Sequence, residues 1–257
     1  MPTEIQHNYK EIRMLPRDWE LLSYLEEQGF ATFDQLNHKF FFSKKPSCSM
    51  RLKRLSECGY IHKKRLLDFF QSNKRSGVKK GYFPHILNLN IKPNQFIYYI
   101  NREYALGFGK SGQLFKPSMI LHQLILNDMR DFLEKEVVHK LVLNDPKVKI
   151  LSNIYLGRGS DTVPDLSIEY DHVRIAVEVE RTPKGSIRYF KRFGNFMDSN
   201  YTHVIYYYTD EPQLKQLLKY AGTSKKFAFA HYRIPNELFS NVFGVIDTNT
   251  FIHRVLD

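Results

Sequence analysis

VPDLSIEYDHVRIAVEVERTPK, residues 163–184, is the stretch on which the reading of the chain turns. Ile175, Val177 and Val179 alternate with Ala176, Glu178 and Glu180. A period of two is that of a β-strand, so Glu178 and Glu180 share one face and the three β-branched residues share the other. A shorter strand precedes it, with Asp165 directly after Pro164, and Asp171 and His172 form the tight turn between the two. If the strands pair about that turn, Asp165 comes near Glu178 and Glu180. Three carboxylates in one cleft repel each other unless a cation lies among them. Hard oxygen ligands with room for water suit Mg²⁺ or Mn²⁺. The same residues also fit a plainer description: acidic side chains on the outer face of a half-exposed strand, and an Asp after Pro at a turn.

The residues downstream favour the first description. Lys184 lies in a Pro-Lys-Gly-Ser turn. The segment Ser186 to Met197 then carries Ile187, Phe190, Phe193 and Met197 at helical spacing, which predicts an inward stripe. Arg188, Lys191 and Arg192 fall off that stripe. A basic helix beside an acidic pocket suits a phosphodiester substrate. Further out, a long helix over Met119 to Val137 and a strand from Lys149 precede the acidic unit. His203 to Tyr208 is a continuous apolar run of the kind found in a central buried strand. A helix over Gln213 to Tyr220 and late strands at Phe227 to Ala230 and Gly244 to Ile246 complete the pattern.

Charge is distributed unevenly. The formal net charge is +11, but residues 39–116 alone hold 17 Lys+Arg against 3 Asp+Glu. So local an excess points to an anionic partner at one part of the molecule. Nucleic acid fits better than a membrane surface, because the basic residues fall on a mixed helix, turn and strand pattern rather than on one amphipathic helix. No run of apolar residues is long enough to span a bilayer, and the first residues lack the apolar core of a signal peptide. Cys48 and Cys58 lie within one predicted helix and cannot bridge each other there, so a reduced, cytoplasmic protein is expected.

The basic segment begins inside a run of three predicted helices. Arg17 to Gln28 has Trp19, Leu21, Leu22 and Leu25 inward, and Gly29 ends it. Thr32 is the expected N-cap of a second helix through Phe41, with Phe33, Leu36 and Phe40 inward and Phe41 and Phe42 extending the cluster. Ser47 is the expected cap of a third helix to Cys58, with Cys48, Leu52 and Leu55 on one face and Ser49, Met50, Arg51, Lys53 and Arg54 largely on the other. A strand from Tyr60 to Leu66, a basic loop over 72–81 and a returning strand from Gln95 to Ile100 follow. Three helices and a β-hairpin with a basic tip is the order of a winged helix-turn-helix, which lays its third helix in the major groove of double-stranded DNA. Arg51, Lys53 and Arg54 are then expected to face DNA, with Lys74, Arg75, Lys79 and Lys80 on the wing. The glycines at 107, 109 and 112 mark a linker, giving domains 1–112 and 113–257.

PD at 164–165, then EVE at 178–180, then a helix and another strand, resembles the core of the PD-(D/E)xK nuclease superfamily. The segments LHQLILND, VPDLSIEY, AVEVERTPK and IRYFKRF, with the N-terminal helices, make the chain similar to the plasmid replication-relaxation family, which includes MobC-type mobilisation accessory proteins. The resemblance implies an α+β and α/β chain: a winged helix-turn-helix followed by a restriction-endonuclease-like mixed sheet. It implies a metal pair of Asp165 and Glu178, with Glu180 where the superfamily more often has Lys. Lys184 stands where it could supply the missing positive charge. It further implies Mg²⁺ or Mn²⁺ as cofactor, DNA contact by Arg188, Lys191 and Arg192, and a relaxase or replication protein as partner. Three functions remain open at this point: a DNA-binding accessory protein of a mobile element, a Mg²⁺-dependent endonuclease, and an assembly factor or regulator without catalysis.

Overall fold

The computed structural model describes residues 12–71, 94–101, 117–138, 149–152, 163–181, 184–231, 235, 237–240, 244–247 and 251. The chain is a mixed α and β protein and divides into two compact units, Met1–Leu124 and Ile125–Asp257.

In the first unit, α1 (Pro16–Gln28) starts where the Leu15 amide donates to Asp18 Oδ2 at 2.7 Å, and it ends at Gly29, whose φ of 77° a side chain would resist. Leu21, Leu22 and Leu25 are buried as expected, together with Asp18, Tyr24 and Gln28, but Trp19 lies on the exposed side. A two-residue strand β1 (Ala31–Thr32) leads into α2 (Phe33–Phe41). Thr32 caps α2 reciprocally with Gln35: the Gln35 amide donates to Thr32 Oγ1 and the Thr32 amide donates to Gln35 Oε1. Helix α3 (Lys45–Glu57) starts two residues before the expected Ser47, because Pro46 is a favourable first-turn residue that needs no amide partner. Cys48, Leu52 and Leu55 pack inward against α1 and α2.

Phe42 departs from its expected place in the core. It takes φ 49° after α2, followed by Ser43 at φ 63°, and this left-handed turn leaves the ring 84% exposed. Strand β2 (Ile61–Arg65) pairs with β3 (Phe96–Ile100), which also pairs with β1, giving an antiparallel sheet of order β1-β3-β2. A short helix α4 (Leu66–Gln71) follows β2. The expected wing residues Lys74, Arg75, Lys79 and Lys80 lie outside the described residues, as does the glycine-marked linker. The division between units falls inside α5 (Pro117–Phe132) rather than at residue 112. The first part of α5 belongs with the first unit, where Gln35 Nε2 donates to the Leu124 carbonyl at 2.9 Å. A wider π turn (Leu133–Val138) continues the helix.

The second unit is built on a seven-stranded sheet of order β10-β9-β8-β7-β6-β5-β4. The strands are β4 (Lys149–Ser152), β5 (Leu166–Tyr170), β6 (Val173–Glu180), β7 (His203–Tyr208), β8 (Phe227–His231), β9 (Glu237–Ser240) and β10 (Gly244–Asp247). The central three, β6, β7 and β8, are parallel; every other pair is antiparallel. The parallel steps are made by α6 (Ser186–Met197) and α7 (Glu211–Ala221). Tyr170 pairs with Val173, so Asp171 and His172 do form the two-residue turn, with Asp171 at φ 51°. Glu169 and Arg174 close it as an ion pair across the strands.

Helix α6 is turned differently from the expectation. Tyr189, Phe193 and Phe196 face the sheet and pack with Ala176, Val204, Tyr206, Phe227 and Phe229. Ile187, Phe190 and Met197 point outward, Ile187 at 86% and Phe190 at 74% exposure. This rotation buries three aromatic rings and carries Arg192 onto the sheet side, where it meets Glu178.

Candidate functional site

The register of the sheet assembles the acidic residues. Leu166 lies opposite Val177 in the antiparallel β5–β6 pair, so Asp165, one residue earlier, comes level with Glu178. Across the parallel β6–β7 pair, Glu178 lies beside Tyr206 and Glu180 beside Tyr208. Paired residues in adjacent strands share a face, so Glu178, Glu180 and Tyr206 lie on the face that α6 covers. Glu178 and Glu180 are accordingly buried, not half-exposed as an outer strand face would make them.

Each carboxylate has a partner from this chain. Asp165 Oδ2 accepts from the Val179 amide at 2.8 Å, which ties the end of the turn before β5 onto β6. Glu178 Oε1 accepts from Arg192 at 2.5 Å, and the same guanidinium donates to the Val163 carbonyl at 2.9 Å. Arg192 also lies over the Phe196 ring, 4.8 Å from its centroid. Lys184 Nζ lies 2.6 Å from Glu180 Oε2. Lys184 is held by its backbone: its amide donates to Tyr189 Oη and its carbonyl accepts from Gln216 Nε2. These two backbone bonds hold Lys184 where its ammonium meets Glu180.

The electrostatics follow from burial. Glu178 is pushed up to about 7, first by loss of solvent and then by the negative charge of Asp165, with Arg192 opposing both. Arg192 is held above its ordinary value by Glu178 despite burial. Tyr206 is the residue that sequence reasoning passed over. Its hydroxyl is buried, makes no hydrogen bond, and is driven far above the usual phenol range by burial and by Glu178. In the sequence it is one of three consecutive tyrosines in an apolar run. Only the strand register singles out the one beside Glu178.

Among the described residues, no group of three acidic, His or Cys side chains converges as a metal centre. Strand register sets Asp165 level with Glu178, whereas Glu180 is drawn to Lys184. The donor chemistry of the Asp165–Glu178 pair, two hard carboxylates with an orphaned phenol beside them, fits Mg²⁺ or Mn²⁺.

On the first unit, Lys53 and Arg54 project from α3 into solvent, and His62, Lys63 and Arg65 are exposed on the adjoining β2. Lys53 lies 3.8 Å from Glu57 on its own helix, and Lys63 lies over the Phe96 ring. Arg51 does not share that surface. Its Nε donates to Asp18 Oδ1 at 2.8 Å, its NH2 also bonds Asp18 and the Arg13 carbonyl, and its side chain is only 12% exposed. The expectation that Arg51 faces DNA is corrected on this ground: a wholly buried Asp18 holds the guanidinium inward. On α6, Arg188 and Lys191 are exposed, while Arg192 is turned to Glu178 rather than outward.

Comparison with protein-family models, with curated proteins and with solved structures gives no match to this chain.

Proposed function

We propose that the chain is a DNA-binding protein of a mobile element, acting in plasmid replication, relaxation or conjugative mobilisation. In this reading the first unit is a winged helix-turn-helix and the second a PD-(D/E)xK-like domain. The observation that carries it is the exposure of Lys53 and Arg54 on α3 and of Lys63 and Arg65 on β2, within the segment holding 17 basic and 3 acidic residues. The order of three helices and a small antiparallel sheet supports the same reading. Phosphate neutralisation by such residues gives affinity that falls steeply with salt. The test is binding of duplex DNA by fluorescence anisotropy across a salt series. Affinity should drop in Lys53→Ala and Arg54→Ala; equal binding by wild type and both variants at every salt concentration refutes the assignment. A relaxase or replication protein is the partner, in the cytoplasm.

A second reading, a Mg²⁺-dependent DNA endonuclease, is favoured by one observation: Asp165 and Glu178 are brought side by side by strand register. Asp165 and Glu178 would hold the ion, and Glu180 would orient groups in its hydration shell. A bound Mg²⁺ supplies polarisation of the scissile phosphate and a more acidic water. Lys184, fixed by Tyr189 and Gln216, is positioned to balance charge on a phosphate. Supercoiled plasmid incubated with Mg²⁺ tests this reading. Nicking that is lost in Asp165→Ala supports it, and nicking that persists in that variant removes Asp165 from the chemistry.

A further inference from the structure

Glu178 lies among Asp165, Arg192 and Tyr206, and the hydroxyl of the last has no hydrogen-bond partner. Glu178 is buried and faces Asp165 on one side and Arg192 on the other. A guanidinium does not lose its proton in a protein, so Arg192 remains a fixed positive charge against Glu178. A divalent cation on the same carboxylate would stand within a few ångströms of that charge, in surroundings that screen it poorly. Arg192 already holds Glu178 Oε1, so a cation arriving on that carboxylate meets a fixed positive charge beside it. Arg192 also has somewhere to go: its side chain is about a quarter exposed, on a helix whose neighbouring Arg188 and Lys191 already face solvent. The Tyr206 hydroxyl, nearly wholly buried beside Glu178, is left without a partner. Buried polar groups in native proteins are almost always hydrogen-bonded, so an orphan in a charged cluster points to a ligand atom that completes it.

We propose that Arg192 and a divalent cation are alternative partners of Glu178, and that a phosphodiester which draws the guanidinium away opens the Asp165–Glu178 pair to the metal. The inference rests on the second reading above, in which that pair holds the ion. Metal and nucleic acid then bind with positive coupling: each raises the affinity of the other by the same factor. Arg192 acts as a positioning residue, and Tyr206 donates to the oxygen that arrives.

The test is Mn²⁺ binding by the full chain, followed by the electron paramagnetic resonance signal of free Mn²⁺, with and without a short DNA duplex and corrected for Mn²⁺ held by the duplex alone. Wild type should bind Mn²⁺ at least tenfold more tightly with duplex than without. Arg192→Met should bind it tightly without duplex, and Asp165→Asn should abolish the gain in both backgrounds. If wild type and Arg192→Met bind Mn²⁺ with equal Kd, and duplex leaves that Kd unchanged, the competition is refuted while the metal pair stands. If neither binds Mn²⁺ under any condition, the metal pair itself is refuted and the inference falls with it. Should Arg192→Met fail to fold, wild type still decides the matter. Mn²⁺ must tighten its binding of duplex by the factor by which duplex tightens Mn²⁺, and Asp165→Asn must remove that effect. Duplex affinity indifferent to Mn²⁺ overturns the proposal.

Discussion

Asp18 is wholly buried and Arg51 nearly so, and each satisfies the other inside the first unit. Removing one partner of such a pair strands a charge away from water. Arg51→Ala should therefore cost about 3–5 kcal/mol, read as a lower midpoint in urea. A loss below about 1 kcal/mol would mean that the pair is solvated after all. Any accompanying fall in DNA affinity should vanish where the variant is fully folded. Helical phase places Arg51 beside Arg54 on α3, and nothing in that phase reveals a buried carboxylate 33 residues away. His203 makes a second test. Burial and Lys226 hold its pKa below the usual histidine value, and its Nδ1 has no hydrogen-bond partner. A depressed histidine favours the neutral folded state. Its contribution is present above the unfolded pKa near 6.5 and is lost as pH falls through that value toward the folded one. Stability should decline on acidification from pH 7, with a shallower decline in His203→Phe; identical slopes for both proteins would rule this out.

Helix α6 carries two apolar stripes, and only one can face the sheet. Residues 187, 190, 193 and 197 form the expected one, residues 189, 193 and 196 form the one that packs, and Phe193 is common to both. Periodicity alone counts both as amphipathic, so the sequence is undecided between rotations. The rotation observed buries three aromatic rings and also brings Arg192 to Glu178. Phe193 stacks on Tyr206 with centroids 4.9 Å apart, so Phe193→Ala should cost about 3–5 kcal/mol. Phe190→Ala should stay within about 0.5 kcal/mol, as for an exposed residue. Thermal unfolding of the two variants decides it, and an equally large loss in both would show the helix rotated as its first stripe suggests. Other elements were legible because one local rule governed each. The two-residue turn at Asp171 fixed the β5–β6 pairing, and the unbroken apolar run of β7 announced the middle strand of the sheet. Burial of both glutamates was not legible, since strand alternation gives a face but not what covers it.

The two units differ in charge as well as in architecture. The basic excess of residues 39–116 belongs to the first, while residues 117–257 are close to balanced. Salt sensitivity of DNA binding should therefore respond to α3. Each of Lys53→Ala and Arg54→Ala should lower the salt slope by about 1, with little change in melting temperature. A slope unmoved by either would place the DNA contacts elsewhere. Among the described residues no helix is long and apolar enough to cross a membrane.

Both cysteines, Cys48 and Cys58, are free and buried in the first unit, and burial pushes the Cys48 thiol up to about 12. The single tryptophan, Trp19, is in that unit too. Disulfide exchange with an aromatic reagent and indole fluorescence therefore both time the opening of residues 1–124 and are blind to the rest. A denaturation curve built on either one will describe half a molecule, and the other half must be followed through its tyrosines.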